Sequence, residues 1–274
     1  MPYNPWPPSF FIRYVESFRS STLVARIVTD SGPAYLKAIN NPQGPHVLVC
    51  DWIGTHLAQR IGLQTLDVTL LELTEGDEIP LGDALAQIGP SFVTRDEQGE
   101  PVGGEAVLAS IINPEDIPLL IVFDTWVRNC DRYARGIGQG DRPRMRLDNL
   151  FLSSEDAPSG QFVLKAIDHG DILTCGRELT PRLAHLEFIR DELLYGLFPI
   201  FRRYVTSEQI VAASEILQVV RPEMWADILA SVPNEWQLSN EARDAIDRFL
   251  LERARFLVHN LEHIVNNYMN QPHL

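Results

Sequence analysis

Lysine is almost missing from this chain: of its 23 basic residues only Lys37 and Lys165 are lysine, and all the others are arginine. Both lysines follow a leucine, whereas a Walker A phosphate loop needs glycine directly before its lysine, so that loop is excluded. HExxH, GxSxG and a GxGxxG opening a helix are absent too, which removes the metalloprotease, serine-hydrolase and dinucleotide-binding readings. Basic charge is scarce as a whole. With 37 acidic residues the formal net charge is −14, a field that repels phosphate backbones and anionic headgroups, so neither nucleic acid nor a membrane is expected as a direct partner. Cysteine is limited to Cys50, Cys130 and Cys175, an odd count without a CxxC pair. Reduced thiols are expected rather than a disulfide framework or a zinc site. The longest apolar run, Ile117–Phe123, falls far short of the ~18 residues that span a bilayer. The Pro-rich start, Met1–Pro8, lacks the pattern of a secretory signal, and a cytoplasmic location is expected.

What is present is an ordinary globular composition, 274 residues with 45% apolar, enough for one large domain or two lobes. Thr22–Val28 and Ala34–Ile39 are β-rich runs around a Thr-Asp-Ser-Gly-Pro turn and predict a hairpin. Apolar residues at Cys50, Ile53, Leu57 and Ile61 predict a helix over 47–61 that stops at Gly62, and Val68–Leu73 predicts a strand. Thr74–Gly104 is rich in Gly, Pro and acid and reads as a connector, so the division is placed at a β-rich lobe over 1–75 and a mostly helical lobe over 76–274. A helix is expected from Asn113 or Asp116, the later start favoured by Pro118, to about Asn129. Leu150–Ser153 and Phe162–Ile167 flank Ser154–Gly160 as a second hairpin. Thr180-Pro181, Thr206 with Gln209, and Ser239 are helix starts. The fold class is α+β.

Several residues are placed to do chemistry. A second-hairpin turn centred between Pro158 and Ser159 would set Asn149 opposite Asp168, with Cβ atoms about 4.5–5.5 Å apart. An amide oxygen and a carboxylate at that spacing can share Mg²⁺ with substrate phosphates; equally, both residues suit the ends of strands as turn formers. Asp131, just past the helix end, can accept a proton from an attacking hydroxyl, or pair with Arg132 or Arg135 at the helix terminus. Lys37 in mid-strand must point to solvent or meet anions, and Asp51 on the next helix is an available partner that would hold it over phosphates. Ser20, Ser21 and Thr22 offer hydroxyls and amides to phosphate, or form a plain turn. Ala134–Leu147 is a Gly- and Arg-rich insert in an acidic chain, either a solvated loop or a cationic lip.

Taken together, Arg19–Thr22 with Tyr35–Lys37, Leu48–Gly62, Phe123–Arg132, Asp148–Phe151 and Ile167–Gly170 resemble, in order and type, the HipA-like kinases, within the wider protein-kinase-like and phosphatidylinositol-kinase-like fold. The resemblance extends over about residues 12–175. It implies a bilobal kinase-like fold and transfer of the γ-phosphate of ATP, with Mg²⁺, to a protein serine or threonine hydroxyl. On that match Lys37 is the phosphate lysine, Asp51 its partner, Asp131 the catalytic aspartate, Asn149 and Asp168 the Mg²⁺ ligands, and Ser20–Thr22 the phosphate loop. Glu72 and Leu73 would be the hinge that meets adenine through its backbone. An antitoxin-like or regulatory protein partner is a further implication. Asp51 stands where the family more often has glutamate, and the interval from Asp131 to Asn149 is longer than usual. Gly138–Arg142 followed by Asp148-Asn149 resembles a lipid-kinase catalytic loop, which makes Asp141 the alternative catalytic aspartate. A binding module without transfer, and a small-molecule or lipid kinase, are the competing readings.

Overall fold

β-branched and aromatic residues crowd the first forty positions, and strands follow from them. The computed structural model describes residues 6–18, 22–134 and 144–270. In it β1 (Phe11–Phe18), β2 (Val24–Thr29) and β3 (Gly32–Lys37) run antiparallel. The expected hairpin turns at Asp30-Ser31, where Gly32 takes φ +116° and the Thr29 hydroxyl donates to the Gly32 carbonyl. Next come α1 (His46–Arg60), β4 (Val68–Leu73), the two-residue pair β5 (Pro80–Leu81) and β6 (Ala84–Leu85), then β7 (Gly89–Arg95) and β8 (Gly99–Pro101). The front sheet has the order β1-β2-β3-β7-β4.

Two of its strands escape the sequence reading. β1 follows a proline-rich start, and β7 lies within Thr74–Gly104, which reads as a connector because Gly89-Pro90 opens the strand and acidic residues surround it. Nevertheless β7 inserts between β3 and β4, pairing Lys37 with Phe92 and Val68 with Thr94. The front sheet therefore draws on residues up to Arg95, past the division drawn at residue 75. The chain leaves it through Asp96–Gln98.

The remainder begins with α2 (Asp116–Val127), at the later of the two expected starts. The short pair β9 (Tyr133–Ala134) and β10 (Arg144–Met145) precedes the second hairpin, β11 (Leu150–Ser153) and β12 (Val163–Ala166). β8 adds to it, giving a sheet of order β12-β11-β8. Short helices follow: α3 (Ile172–Cys175), α4 (Leu186–Ile189), α5 (Ser207–Ala213), α6 (Ile216–Val219) and α7 (Ala226–Ala230), before the long α8 (Asn240–Met269). Thr206 and Gln209 form the expected capping box, and the Ser239 hydroxyl caps α8 by accepting from the Ala242 amide. Among the described residues no helix is long and apolar enough to cross a membrane.

One continuous core joins α1 and Phe92 of the front sheet to α2, the second hairpin and α8. A second cluster, including Ile27, Leu36, Leu71 and Val93, covers the opposite face of the front sheet. Because α1 lies between the sheet and the helical part, it is buried on almost every side rather than along one stripe. Arg253 of α8 is fully buried. Its guanidinium donates to the Thr125 and Trp126 carbonyls of α2 and to those of Phe188, Ile189 and Asp191, at 2.8–3.2 Å. One side chain thus satisfies the end of α2 and the end of α4 together. Arg253→Met keeps the apolar stem but strands these acceptors, each costing on the order of 1–3 kcal/mol. Urea unfolding of this variant is expected to show a loss of at least ~3 kcal/mol, and wild-type stability would contradict the role given to Arg253.

Candidate active site

Period-two alternation decides which side chains of the front sheet face the rest of the molecule. In β3, Ala34 and Leu36 enter the core on one face while Tyr35 and Lys37 point to the other. β7 repeats the pattern, with Val93 in that core and Phe92 and Thr94 opposite, and Val68 of β4 joins them. These residues roof a cavity of about 350 Å³ whose floor is Gly99, Pro101, Phe151, Ala166 and Ile167. Apolar walls with a few convergent polar groups are what small-molecule sites present.

The polar groups gather at one end. Lys37 Nζ donates to Asp51 Oδ2 at 2.8 Å and to Asp168 Oδ1 at 2.9 Å. Asp51 Oδ1 accepts from the His169 amide at 2.8 Å, so the shorter aspartate reaches both. Burial works against the Lys37 ammonium, but the charges of Asp168 and Asp51 outweigh it and hold its pKa above the ordinary lysine value. Burial pushes Asp51 up to about 6 against the pull of Lys37. Asp168 sits at the mouth, 39% exposed, and there the Lys37 charge prevails over desolvation and keeps its carboxyl below the usual range.

Asn149 and Asp168 do not face each other as expected. The hairpin register pairs Leu150 with Ala166, so the position across from Asn149 is Ile167, whose amide donates to the Asn149 carbonyl. A register one residue away from the expected one sends a strand residue to the other face. Asp168 escapes that rule by leaving the strand with φ +55°, which re-aims its carboxylate at Lys37. Asn149 Nδ2 donates instead to Asp131 Oδ2 at 2.7 Å. The structure therefore makes two joined groups, Lys37–Asp51–Asp168 and Asp131–Asn149.

Arg132 connects them. It is fully buried; its Nε donates to the Asn149 carbonyl, Nη2 to the Ile167 carbonyl at 3.0 Å and to His169 Nε2 at 2.9 Å, and Nη1 to Asp124 of α2. With Nε2 accepting, the His169 proton belongs on Nδ1, facing the Thr55 hydroxyl at 3.1 Å. Burial, then the Arg132 and Lys37 charges, hold the His169 pKa well below its ordinary value. The sequence offered Arg132 as a helix-end partner for Asp131; its ion-pair partner is Asp124. Asp131 follows the left-handed turn at Arg128, φ +54°, that ends α2, and neither it nor Asn149 lines the cavity.

Other expectations need correction. Glu72 is exposed and Leu73 lies in the second core; neither lines the cavity. They sit at the end of β4 remote from Val68, because the unforeseen β7 is the strand that carries the chain across. Asp96 and Glu97 line the cavity instead. Glu97 Oε2 accepts from Lys165 Nζ at 2.6 Å and Ser153 Oγ at 2.7 Å. A lysine between Leu164 and Ala166 in a hairpin strand was the available signal that a buried carboxylate must meet it. Ser20, Ser21 and Asp141 lie outside the described residues. Thr22 is buried and is not part of the cavity wall; its carbonyl accepts from Asn41. The expectation of three separate thiols fails as well, since Cys130 and Cys175 are paired as a disulfide across 45 residues, a spacing that carries no local signal, and only Cys50 is free.

For a divalent cation the donor types fit. With Asn149 Nδ2 committed to Asp131, the atom left for a ligand is its amide oxygen, and Asp168 keeps Oδ2 beside the one bound to Lys37. Mg²⁺ in phosphoryl-transfer sites takes one or two such oxygens and completes its shell with phosphate and water. Among the described residues no group of three or more His, Cys, Asp or Glu is placed around one point.

Comparison with known proteins gives a family and a fold. Residues 29–169 match the family model described as HipA-like kinase. No curated protein sequence matches the chain. Among solved structures, the Helicobacter pylori proinflammatory kinase CtkA is similar at TM-score 0.59 and 13% identity, over 97% of this chain and 100% of that one. A chain from the Shewanella oneidensis MR-1 toxin–antitoxin complex of HipA, HipB and operator DNA aligns at TM-score 0.44 and 10% identity, over 98% of this chain and 69% of that one. WaaP in complex with acyl carrier protein aligns at TM-score 0.37 and 14% identity, covering 86% and 88%. The CtkA likeness identifies the arrangement of front sheet and helical remainder as kinase-like.

A neutral His169 has a pH consequence. Below about pH 6.5 the unfolded chain binds a proton there that the native state refuses, so stability present above that pH is lost as pH falls, by about 1.4 kcal/mol per unit for each unmatched proton. His46 and His56 are shifted the same way, both by burial. Thermal unfolding followed from pH 7 to 5 is expected to show a falling Tm, with a shallower fall in His169→Gln. Equal slopes in the two proteins would contradict the buried neutral imidazole.

Proposed function

Because the chain belongs to the HipA-like kinase family and is thereby a kinase, we propose that its phosphate donor is ATP with Mg²⁺ and its acceptor a serine or threonine hydroxyl of a protein. The observation that carries this reading is the convergence of Lys37, Asp51 and Asp168 at one end of an apolar cavity, with the Asp131–Asn149 pair tied to the same spot through Arg132. Adenine occupies the apolar slot between Val68 and Phe92 above and Phe151 and Ile167 below. Its polar edge meets the backbone at Asp96 and Glu97, which line the cavity and take the hinge role that sequence assigned to Glu72 and Leu73. The phosphates run toward Lys37, whose charge Asp51 orients.

Asp168 and Asn149 would hold Mg²⁺, which when bound neutralises the charge of the phosphates. In the transfer the acceptor oxygen forms a bond to the γ-phosphorus as the bond to the β–γ bridging oxygen breaks, and ADP departs. Asp131 takes the hydroxyl proton, held in place by the amide of Asn149. Positioning and charge do most of the work in such transfers.

The test is incubation with γ-labelled ATP and Mg²⁺, scoring label on the protein itself and on a mixed protein acceptor. Asp131→Asn is expected to lower transfer by about 10²–10⁴-fold while nucleotide still raises Tm. Lys37→Met should lose the nucleotide-dependent rise in Tm. Stabilisation by nucleotide with no labelled product from wild type would make the protein a binding module, and full transfer by Asp131→Asn would remove Asp131 from its role.

A further inference from the structure

We propose that Cys130 and Cys175 form a reversible thiol–disulfide modification site that clamps the turn carrying Asp131 to the segment following Gly170. Cys130 directly precedes Asp131 and is fully buried, whereas Cys175 ends α3 and is partly exposed. Their Cα atoms are 5.6 Å apart, inside the span that disulfides bridge without backbone movement. Around them the two stretches interlock. The Cys130 sulfur lies 3.7 Å from the Asp171 carbonyl, and the Cys175 sulfur 3.9 Å from that of Arg128. Ala134, Leu193 and Tyr195 pack against the pair.

The segment after Gly170 needs such a clamp. Leu173 and Cys175 adopt φ +65° and +56°, left-handed values that side chains other than glycine hold only when their surroundings impose them. Other contacts on the segment are Arg128 Nη1 to the Leu173 carbonyl at 2.9 Å, the His46 ring to the Gly176 carbonyl at 3.3 Å, the Cys50 sulfur 3.7 Å from the Ile172 carbonyl, and the buried side chains of Ile172 and Leu173 in the main core. Asp168, His169 and Gly170 enter the same stretch from the site, so a closed clamp fixes it from both ends. A thiol pair in a reducing compartment carries its bridge transiently, as sensors do.

The chemistry balances with a low-molecular-weight disulfide as oxidant. The accessible Cys175 thiolate attacks one sulfur of glutathione disulfide, forming a mixed disulfide and releasing one glutathione thiolate. The Cys130 thiolate then attacks the Cys175 sulfur and displaces the second. Two protein thiols lose two electrons and two protons, and one disulfide is reduced to two thiols. Reduction by a dithiol reverses this. Cys50 is fully buried within α1, its sulfur 3.7 Å from the Ile172 carbonyl, and takes no part in the thiol exchange.

Only the turnover arm of the test rests on the kinase reading above. Full-length protein is equilibrated with glutathione disulfide or with dithiothreitol, and the bridge is scored by intact mass as the loss of two hydrogens. Amide hydrogen exchange over 171–176 and phosphotransfer are then measured on both forms. The bridged form is expected to exchange about tenfold more slowly in that segment and to transfer phosphate about threefold faster. Cys175→Ser should show neither response, and Cys50→Ala should show both. No bridge under oxidising conditions, or a bridge that alters neither exchange nor turnover, overturns the proposal. Slower exchange in the bridged form with phosphotransfer in neither form supports the clamp and overturns the kinase reading instead.

Discussion

A single buried guanidinium holds the site together. Arg132 reaches from the turn after α2 to the carbonyls of Asn149 and Ile167, one on each side of the second hairpin, and to His169 and Asp124. A fully buried arginine is costly unless its donors are met, and this one has a partner on each of the segments that carry Asp131, Asn149 and Asp168. Its planar fork sets the distances among those segments in a way a lysine's point charge would not. Asp124 is the carboxylate that meets it: burial pushes its carboxyl up to about 6, with Arg132 pulling the other way.

The two lysines repeat one theme in two places. Lys37 meets Asp51 and Asp168, and Lys165 meets Glu97 beside Ser153. Each ion pair lies at the cavity and each ties the front sheet, or the segment leaving it, to the second hairpin. Elsewhere arginine serves the chain, as in the carbonyl-binding Arg253 and in Arg128, which pairs with Asp191 and stacks on Phe188. A compact ammonium suits a site where phosphate must also approach, since it leaves room around its charge.

Much of this was legible from local pattern. The first hairpin, α1, β4, α2, the second hairpin and α8 follow from periodicity and capping residues, and Lys37 with Asp51 was recognisable from a lysine that needed an anion. β7 was hidden because a short strand opened by Gly89-Pro90 looks like a turn, and with it went the point at which the chain leaves the front sheet. The Asn149–Asp168 pairing failed for a different reason. Counting residues about a turn gives a register only to within one position, and a single left-handed residue at Asp168 then decides where its carboxylate points.

What the amino-acid order determined unaided is the inventory: which runs become strands or helices, which ionisable residues fall in apolar surroundings, and therefore which must find partners. Alternation in β3 alone dictates that Tyr35 and Lys37 share a face. The choice of partner belonged to the tertiary structure. Arg132 takes Asp124 rather than Asp131, Lys165 takes Glu97 from 68 positions away, and Cys130 finds Cys175, because burial makes each demand and only the packed arrangement of α2, the hairpin and the crossing segment supplies the answer.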